Sequence, residues 1–196
     1  MERAVKQYRT LATELKTRAE PEGAKVIEGY FAVFNRQTEL FPGGFEVIAP
    51  EAFNNTLGGD VRALINHDTT LVLGRTKAST LMLSVDGHGL YGKIIINEKD
   101  MDAMNLYERV QRGDVDQCSF GFEILSEETE WLEDGAIRWT IREVVLHEVS
   151  VCTFPAYEDT SVQARSKEYQ NLRQKKLEAR KRESKERLQT CLERLC

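Results

Sequence analysis

The chain has 196 residues, with 27 Lys/Arg against 32 Asp/Glu, a formal net charge of −5 and 41% apolar residues. That length fits one domain with an appendage, and a body of roughly 150 residues buries about 70% of its unfolded surface, so no disulfide or metal staple is required. The charge is unevenly divided, with ten Lys/Arg against five Asp/Glu in residues 166–196 and a net −10 in residues 1–165; an acidic body argues against nucleic-acid binding by the main domain, because such surfaces are basic to neutralise phosphates.

Residues 1–24 open with the charged stretch Met1 to Arg18 and are expected to be a loosely held N-terminal segment. Lys25 to Phe34 reads as a strand. Pro50 starts a short helix with Phe53 and Leu57 on one side, stopped by Gly58-Gly59, in keeping with proline at helix starts and glycine just past their ends. Val61 to Asn66 is a strand. Ser79 to Val85 and Leu90 to Ile96 are strands flanking Asp86-Gly87-His88-Gly89, a hairpin signal because glycine accepts the positive φ of a tight turn. A longer helix is expected from Asp100 to Arg112, with Ala103, Leu106, Tyr107 and Val110 at helical spacing and Gly113 as terminator. Val115 to Leu125 is a strand, Asp134-Gly135 turns a second hairpin between Thr129 to Leu132 and Ile137 to Ile141, and Val144 to Thr153 completes the set. Residues 25–165 thus form an α+β body dominated by antiparallel sheet.

Residues 166–196 are a charged helical tail. Leu188, Cys191, Leu192 and Leu195 follow helical spacing, but Lys181 and Ser184 interrupt the apolar stripe, so a long coiled coil is not expected. The cysteines, Cys118, Cys152, Cys191 and Cys196, have no CxxC or CxH spacing, and no secretory signal or membrane-length apolar run is present. A reducing cytoplasm, no metal and no cofactor are the expectations, with Cys118 and Cys152 as buried free thiols in apolar strands.

With three histidines in the chain, the choice of a general base is short. His67 ends the apolar row Val61, Ala63 and Ile65. Ser119 lies 52 residues further on, in Cys118-Ser119-Phe120-Gly121-Phe122. Alternation puts Cys118, Phe120, Phe122 and Ile124 on one face and Ser119, Gly121 and Glu123 on the other, and Gly121 leaves space where a peptide would approach. A serine hydroxyl becomes a useful nucleophile when a base takes its proton, and histidine, with a pKa of roughly 6.5, suits that task. A third group must fix the imidazole tautomer. In the apolar run Val144 to Val151, His147 shares a face with Val145 and Val149, and Glu148 one with Leu146 and Ser150. A carboxylate in such surroundings needs a cation or donor, which the His67 ring would supply; Asp68 is too near in sequence to fold back readily onto its neighbour's ring.

Five ordered segments carry a resemblance. They are Gly29-Tyr30-Phe31-Ala32-Val33-Phe34; Phe45 to Pro50 with Ala52-Phe53; Asn66-His67-Asp68 with Leu73-Gly74-Arg75-Thr76; Ser119 to Phe122; and Glu148-Val149-Ser150 followed by Pro155-Ala156-Tyr157. Over about residues 25–165 the chain resembles the HK97-type phage prohead (procapsid) serine proteases. The resemblance implies a fold similar to the herpesvirus assemblin proteases, a mainly antiparallel β-barrel-like sheet with a few helices. It also implies an endopeptidase working inside the immature capsid in the host cytoplasm. There it would cut the scaffolding portion of the major capsid protein, and itself. Ser119 is then the nucleophile, His67 the general base and Glu148 the third member, with His147 the alternative because the herpesvirus relatives use a second histidine. A homodimer is expected by the same analogy, and backbone N–H groups near Gly74 and Arg75 are candidate oxyanion donors. The tail is expected to target the enzyme to the procapsid and to be released by self-cutting at an exposed boundary near Arg165 to Lys167. Two other readings stand beside this one: an assembly factor that keeps the fold without using it, and a cysteine hydrolase based on Cys118, whose side chain follows the buried face.

Overall fold

In a computed structural model, residues 6–12, 15–20, 23–133, 135–154 and 159–193 are described. They form eleven strands and two α-helices: β1 (Gln7–Ala12), β2 (Lys16–Ala19), β3 (Lys25–Val33), β4 (Thr38–Phe41), β5 (Gly44–Ile48), β6 (Arg62–Ile65), β7 (Asp68–Arg75), β8 (Leu81–Val85), β9 (Gly89–Ile95), α1 (Met101–Arg112), β10 (Gln117–Trp131), β11 (Ile137–Cys152) and α2 (Asp159–Glu193).

Two open sheets replace the expected barrel-like arrangement. The first runs β1-β10-β11-β5-β4, with β6 also paired to β11 and β7 to β6; the second runs β2-β3-β9-β8. Their inner faces share one core. Ile27, Phe31, Leu90 and Ile94 from the second sheet meet Phe120, Phe122, Leu146, Val149 and Val151 from the first, and Ala103, Leu106, Tyr107 and Val110 of α1 join them. Full burial of side chains such as Phe31, Phe53 and Phe122 contributes about 1.5–3 kcal/mol each.

The expected helix at Asp100 to Arg112 is α1. The Asp100 carboxylate caps it by accepting from the N–H groups of Asp102 and Ala103, and Gly113 ends it at φ 83°, a left-handed conformation that glycine adopts without steric cost. Around Pro50 the helix is a single 3-10 turn, Pro50–Phe53. The two expected hairpin arms around Asp134-Gly135 are the ends of β10 and β11, which pair continuously from Gln117↔Cys152 to Trp131↔Ile137; Asp134 itself lies outside the described residues.

Three features differ from the sequence expectations. The N-terminal segment is not loose where it is described: β1 adds antiparallel to the outer edge of β10, and β2 to β3. The first sheet is mainly antiparallel, as expected, but carries parallel pairs that the sequence did not announce, because β11 takes β5 as a parallel neighbour along its first half and β6 along its second. Arg165 is buried rather than exposed: its guanidinium forks onto Glu127, lies 3.7 Å from Glu46 and stacks over Trp139 at 4.9 Å. Tyr169 and Lys176 continue the contact on Trp131, so the first turns of α2 are anchored to the body. Leu195 and the Pro155-Ala156-Tyr157 segment lie outside the described residues. Among those described, no helix is long and apolar enough to cross a membrane, and no cluster of metal-ligating side chains occurs.

Candidate active site

His67 sits in the turn joining β6 to β7, not on a continuing strand. Asn66 and His67 both have positive φ, 50° and 62°, the conformation of a tight hairpin turn and one that asparagine tolerates better than most residues. β11 pins the turn from beside it. The Asn66 N–H donates to the Val151 carbonyl at 3.0 Å, and the Thr153 N–H donates to Asn66 Oδ1 at 2.9 Å. The imidazole is thereby aimed across β11 rather than along the apolar row of β6.

Glu148 meets it there. Its Oε1 lies 2.7 Å from His67 Nδ1, and its Oε2 accepts a hydrogen bond from Ser150 Oγ at 2.6 Å. The carboxylate is almost wholly buried, at 2% exposure, so these partners replace the water it has lost. A register break gives it this direction. Gly121 pairs with Glu148 but Phe122 pairs with Leu146, leaving His147 as the extra residue of a β-bulge. Leu146 stays with the core while Glu148 turns to the opposite face, separating two residues that strict alternation places together. His147 has its Nε2 3.0 Å from Glu123 Oε1, a contact apart from His67.

Opposite Glu148, a side chain on Gly121 would collide with the site. A Cβ there would stand 2.5 Å from Glu148 Oε1, 2.8 Å from Lys6 Cε and 3.0 Å from Tyr8 Cε1. Gly121 therefore makes room for the carboxylate and for β1, where the sequence suggested room for a peptide.

Ser119 shares this face. It pairs with Ser150 on one side and Thr10 on the other. Its side chain is fully buried, and its hydroxyl donates to the Arg9 carbonyl at 3.0 Å. Among the described residues Ser119 and His67 share no hydrogen bond. His67 Nε2 instead lies 3.7 Å from the Cys152 sulfur. Burial, and then the Glu148 charge, push that thiol's pKa up to about 12, so it stays protonated at neutral pH. The Tyr8 ring stands edge-on to the imidazole, with centroids 4.5 Å apart. Cys118 is buried on the core side.

β1 is fastened from beneath. Arg9 binds both oxygens of Glu46, at 2.5 and 2.8 Å, and Glu46 is 3% exposed. Burial alone would raise the Glu46 pKa; the charge and hydrogen bonds of Arg9, with Arg165 beyond, outweigh it and hold the carboxyl below its ordinary value. Sequence reading missed β1 altogether, since its polar, charged residues give no apolar alternation. Of the suggested donors near Gly74 and Arg75, the Arg75 N–H is engaged: it donates to Thr80 Oγ1 at 2.9 Å.

Comparison with solved structures finds the capsid assembly protease of bacteriophage T4, with a TM-score of 0.49 and 11% identity, covering 75% of this chain and 96% of that one. The prohead protease of Enterobacteria phage HK97 is 32% identical over 143 residues, which is 71% of this chain. The match spans 59% of the HK97 protein's length. The family model for the Caudovirus prohead serine protease matches residues 13–175, and the chain belongs to that family.

Proposed function

We propose that the chain is a serine endopeptidase of prohead maturation. It cuts the scaffolding portion of the major capsid protein, and itself, inside the procapsid in the host cytoplasm. Ser119 is the nucleophile, His67 the general base, and Glu148 the group that orients the imidazole. The observation that carries this reading is the buried His67–Glu148 pair, Nδ1 to Oε1 at 2.7 Å, on the face that also holds Ser119.

An ionised Glu148 accepts from Nδ1–H, which leaves Nε2 as the bare nitrogen able to take a proton. The Ser119 proton passes to Nε2 as its oxygen bonds to the scissile carbonyl carbon. The imidazolium then gives the proton to the departing amine, and water, activated by the same nitrogen, releases the acyl group. In the arrangement described above the Ser119 proton is committed to the Arg9 carbonyl, so a shift of β1 precedes the chemistry. Self-cutting falls in the tail beyond Lys176 in this reading, which is supported by the contacts of Arg165, Tyr169 and Lys176 with the body and by the exposure of residues 177–190.

Two other readings have an observation each, with Cys152 taking the place of Cys118, which lies on the core side. The burial of Ser119 under β1 suits an assembly factor with a silent protease fold. The proximity of Cys152 Sγ to Nε2 suits a cysteine nucleophile, but a thiol whose pKa burial and the Glu148 charge push up to about 12 is a poor one. Co-expression of full-length chain with the capsid protein, followed by N-terminal sequencing of the products, separates the three. Ser119→Ala should abolish cleavage, a drop of about 10⁴-fold or more, while Cys152→Ala retains it. Loss with Cys152→Ala alone would assign the thiol, and an inert wild-type chain in assembled particles would favour the silent role.

A further inference from the structure

We infer that Ser150 is the positioning residue of this site: one buried hydroxyl clamps both the backbone of His67 and the carboxylate of Glu148. The inference rests on the reading of His67 as the base. Ser150 is fully buried. Its O–H donates to Glu148 Oε2 at 2.6 Å, and its oxygen accepts the His67 backbone N–H at 3.2 Å. With its only proton given to Oε2, the hydroxyl leaves Oε1 as the acceptor for the ring. The spacing of two residues along β11 puts Glu148 and Ser150 on one face.

Each contact fixes something otherwise free. The terminal torsion of a glutamate is broad, so a carboxylate held at one oxygen alone could swing away from Nδ1. The His67 N–H belongs to a left-handed turn residue and would lose its partner beside a buried strand, a costly state for a backbone donor. Asn66 pins the turn at one end through Thr153 and Val151; Ser150 pins it at the histidine itself. Among the described residues, other polar or charged groups near the ring include the Cys152 thiol on β11, Tyr8 on β1 and Lys6, whose ammonium lies over the Tyr8 ring at 5.0 Å. None of these hydrogen-bonds to both the base and its carboxylate.

The test is the rate at which a fluorophosphonate probe labels Ser119 in the full chain, measured against pH for wild type, Ser150→Ala and Ser150→Thr, with melting to confirm folding. Ser150→Ala should slow labelling by about 10- to 100-fold and move the midpoint of its pH profile, which a purely structural serine would not do. Ser150→Thr, which keeps the hydroxyl, should recover most of the rate. A Ser150→Ala protein with wild-type rate and midpoint overturns the inference. Hydrogen exchange of the His67 amide in wild-type protein provides a second measurement that needs neither a folded variant nor a reactive serine. Strong protection supports the clamp, and exchange at the rate of an unprotected amide overturns it. A wild-type chain that resists the probe while protecting this amide would refute the serine-nucleophile reading and leave the clamp standing.

Discussion

His67 and Ser119 lie on one face of one sheet, yet the two sides of the site are held by different means. On the histidine side polar groups are tied to one another: Nδ1 to Glu148, Glu148 to Ser150, Ser150 to the His67 N–H, Asn66 to Thr153. These contacts lie between central elements of the sheet. On the serine side the hydroxyl is engaged by the carbonyl of an edge strand, β1, fastened from beneath by the Arg9–Glu46 pair. In the proposed mechanism the acid–base half is therefore preorganised in the folded body, whereas the freedom of the nucleophile depends on what occupies the edge of β10.

The sharpest way to break this comparison is to attack the preorganised side. His67→Ala should lower cleavage by about 10²- to 10⁴-fold, the usual worth of positioned proton transfer. Glu148→Gln should fall in the same range, while His147→Gln stays within a few-fold of wild type. Equal losses at 147 and 148 in a peptide-cleavage assay would undo the assignment of the third position.

A smaller effect, opposite in sign, is expected from the edge. Among the described residues, Arg9→Ala leaves the buried Glu46 with Arg165 as its remaining cation, and breaking a buried pair in this way costs up to about 3–5 kcal/mol, less here because Arg165 remains. With β1 loosened, Ser119 should react with a fluorophosphonate about tenfold faster. A slower reaction would mean that β1 is part of the working site rather than its cover.

The smallest expected effect is on acid stability. Glu46 has a folded-state pKa held below its ordinary value of 4.5. Its contribution is therefore fully present above about pH 4.5 and is lost as pH falls through the depressed folded value. Melting temperature should decline across that acid range in wild type, and the decline should be shallower in Glu46→Gln. Parallel profiles for the two proteins would show that Glu46 gains nothing from its partners.

Much of the site was legible because it is written in local patterns. Alternation around Ser119 separated the aromatic face from the serine face, and an isolated carboxylate in an apolar strand marked Glu148. What escaped the sequence was long-range or irregular. No pattern in Tyr8, Arg9 and Thr10 announces a strand, because its partner is more than a hundred residues away and its neighbours are charged. The bulge at His147 moves Glu148 off the face of Leu146, and the left-handed turn at Asn66 and His67 re-aims the ring; both break the two-residue period on which strand reading depends. The open pair of sheets, and the parallel neighbours of β11, were likewise invisible, since periodicity reports which face is buried and not which strand lies beside it.

The placement of β11 also has a consequence for synthesis. It supplies Glu148, Ser150 and the backbone that pins the histidine turn, and it pairs with β10, which carries the serine. Both strands follow β1 and β6 in the chain, so a growing polypeptide cannot pair His67 with Glu148 until β11 has been made. Closure of these long loops is slow relative to local hairpins, so the His67–Glu148 pair is expected to form late, once β11 has docked beside β6.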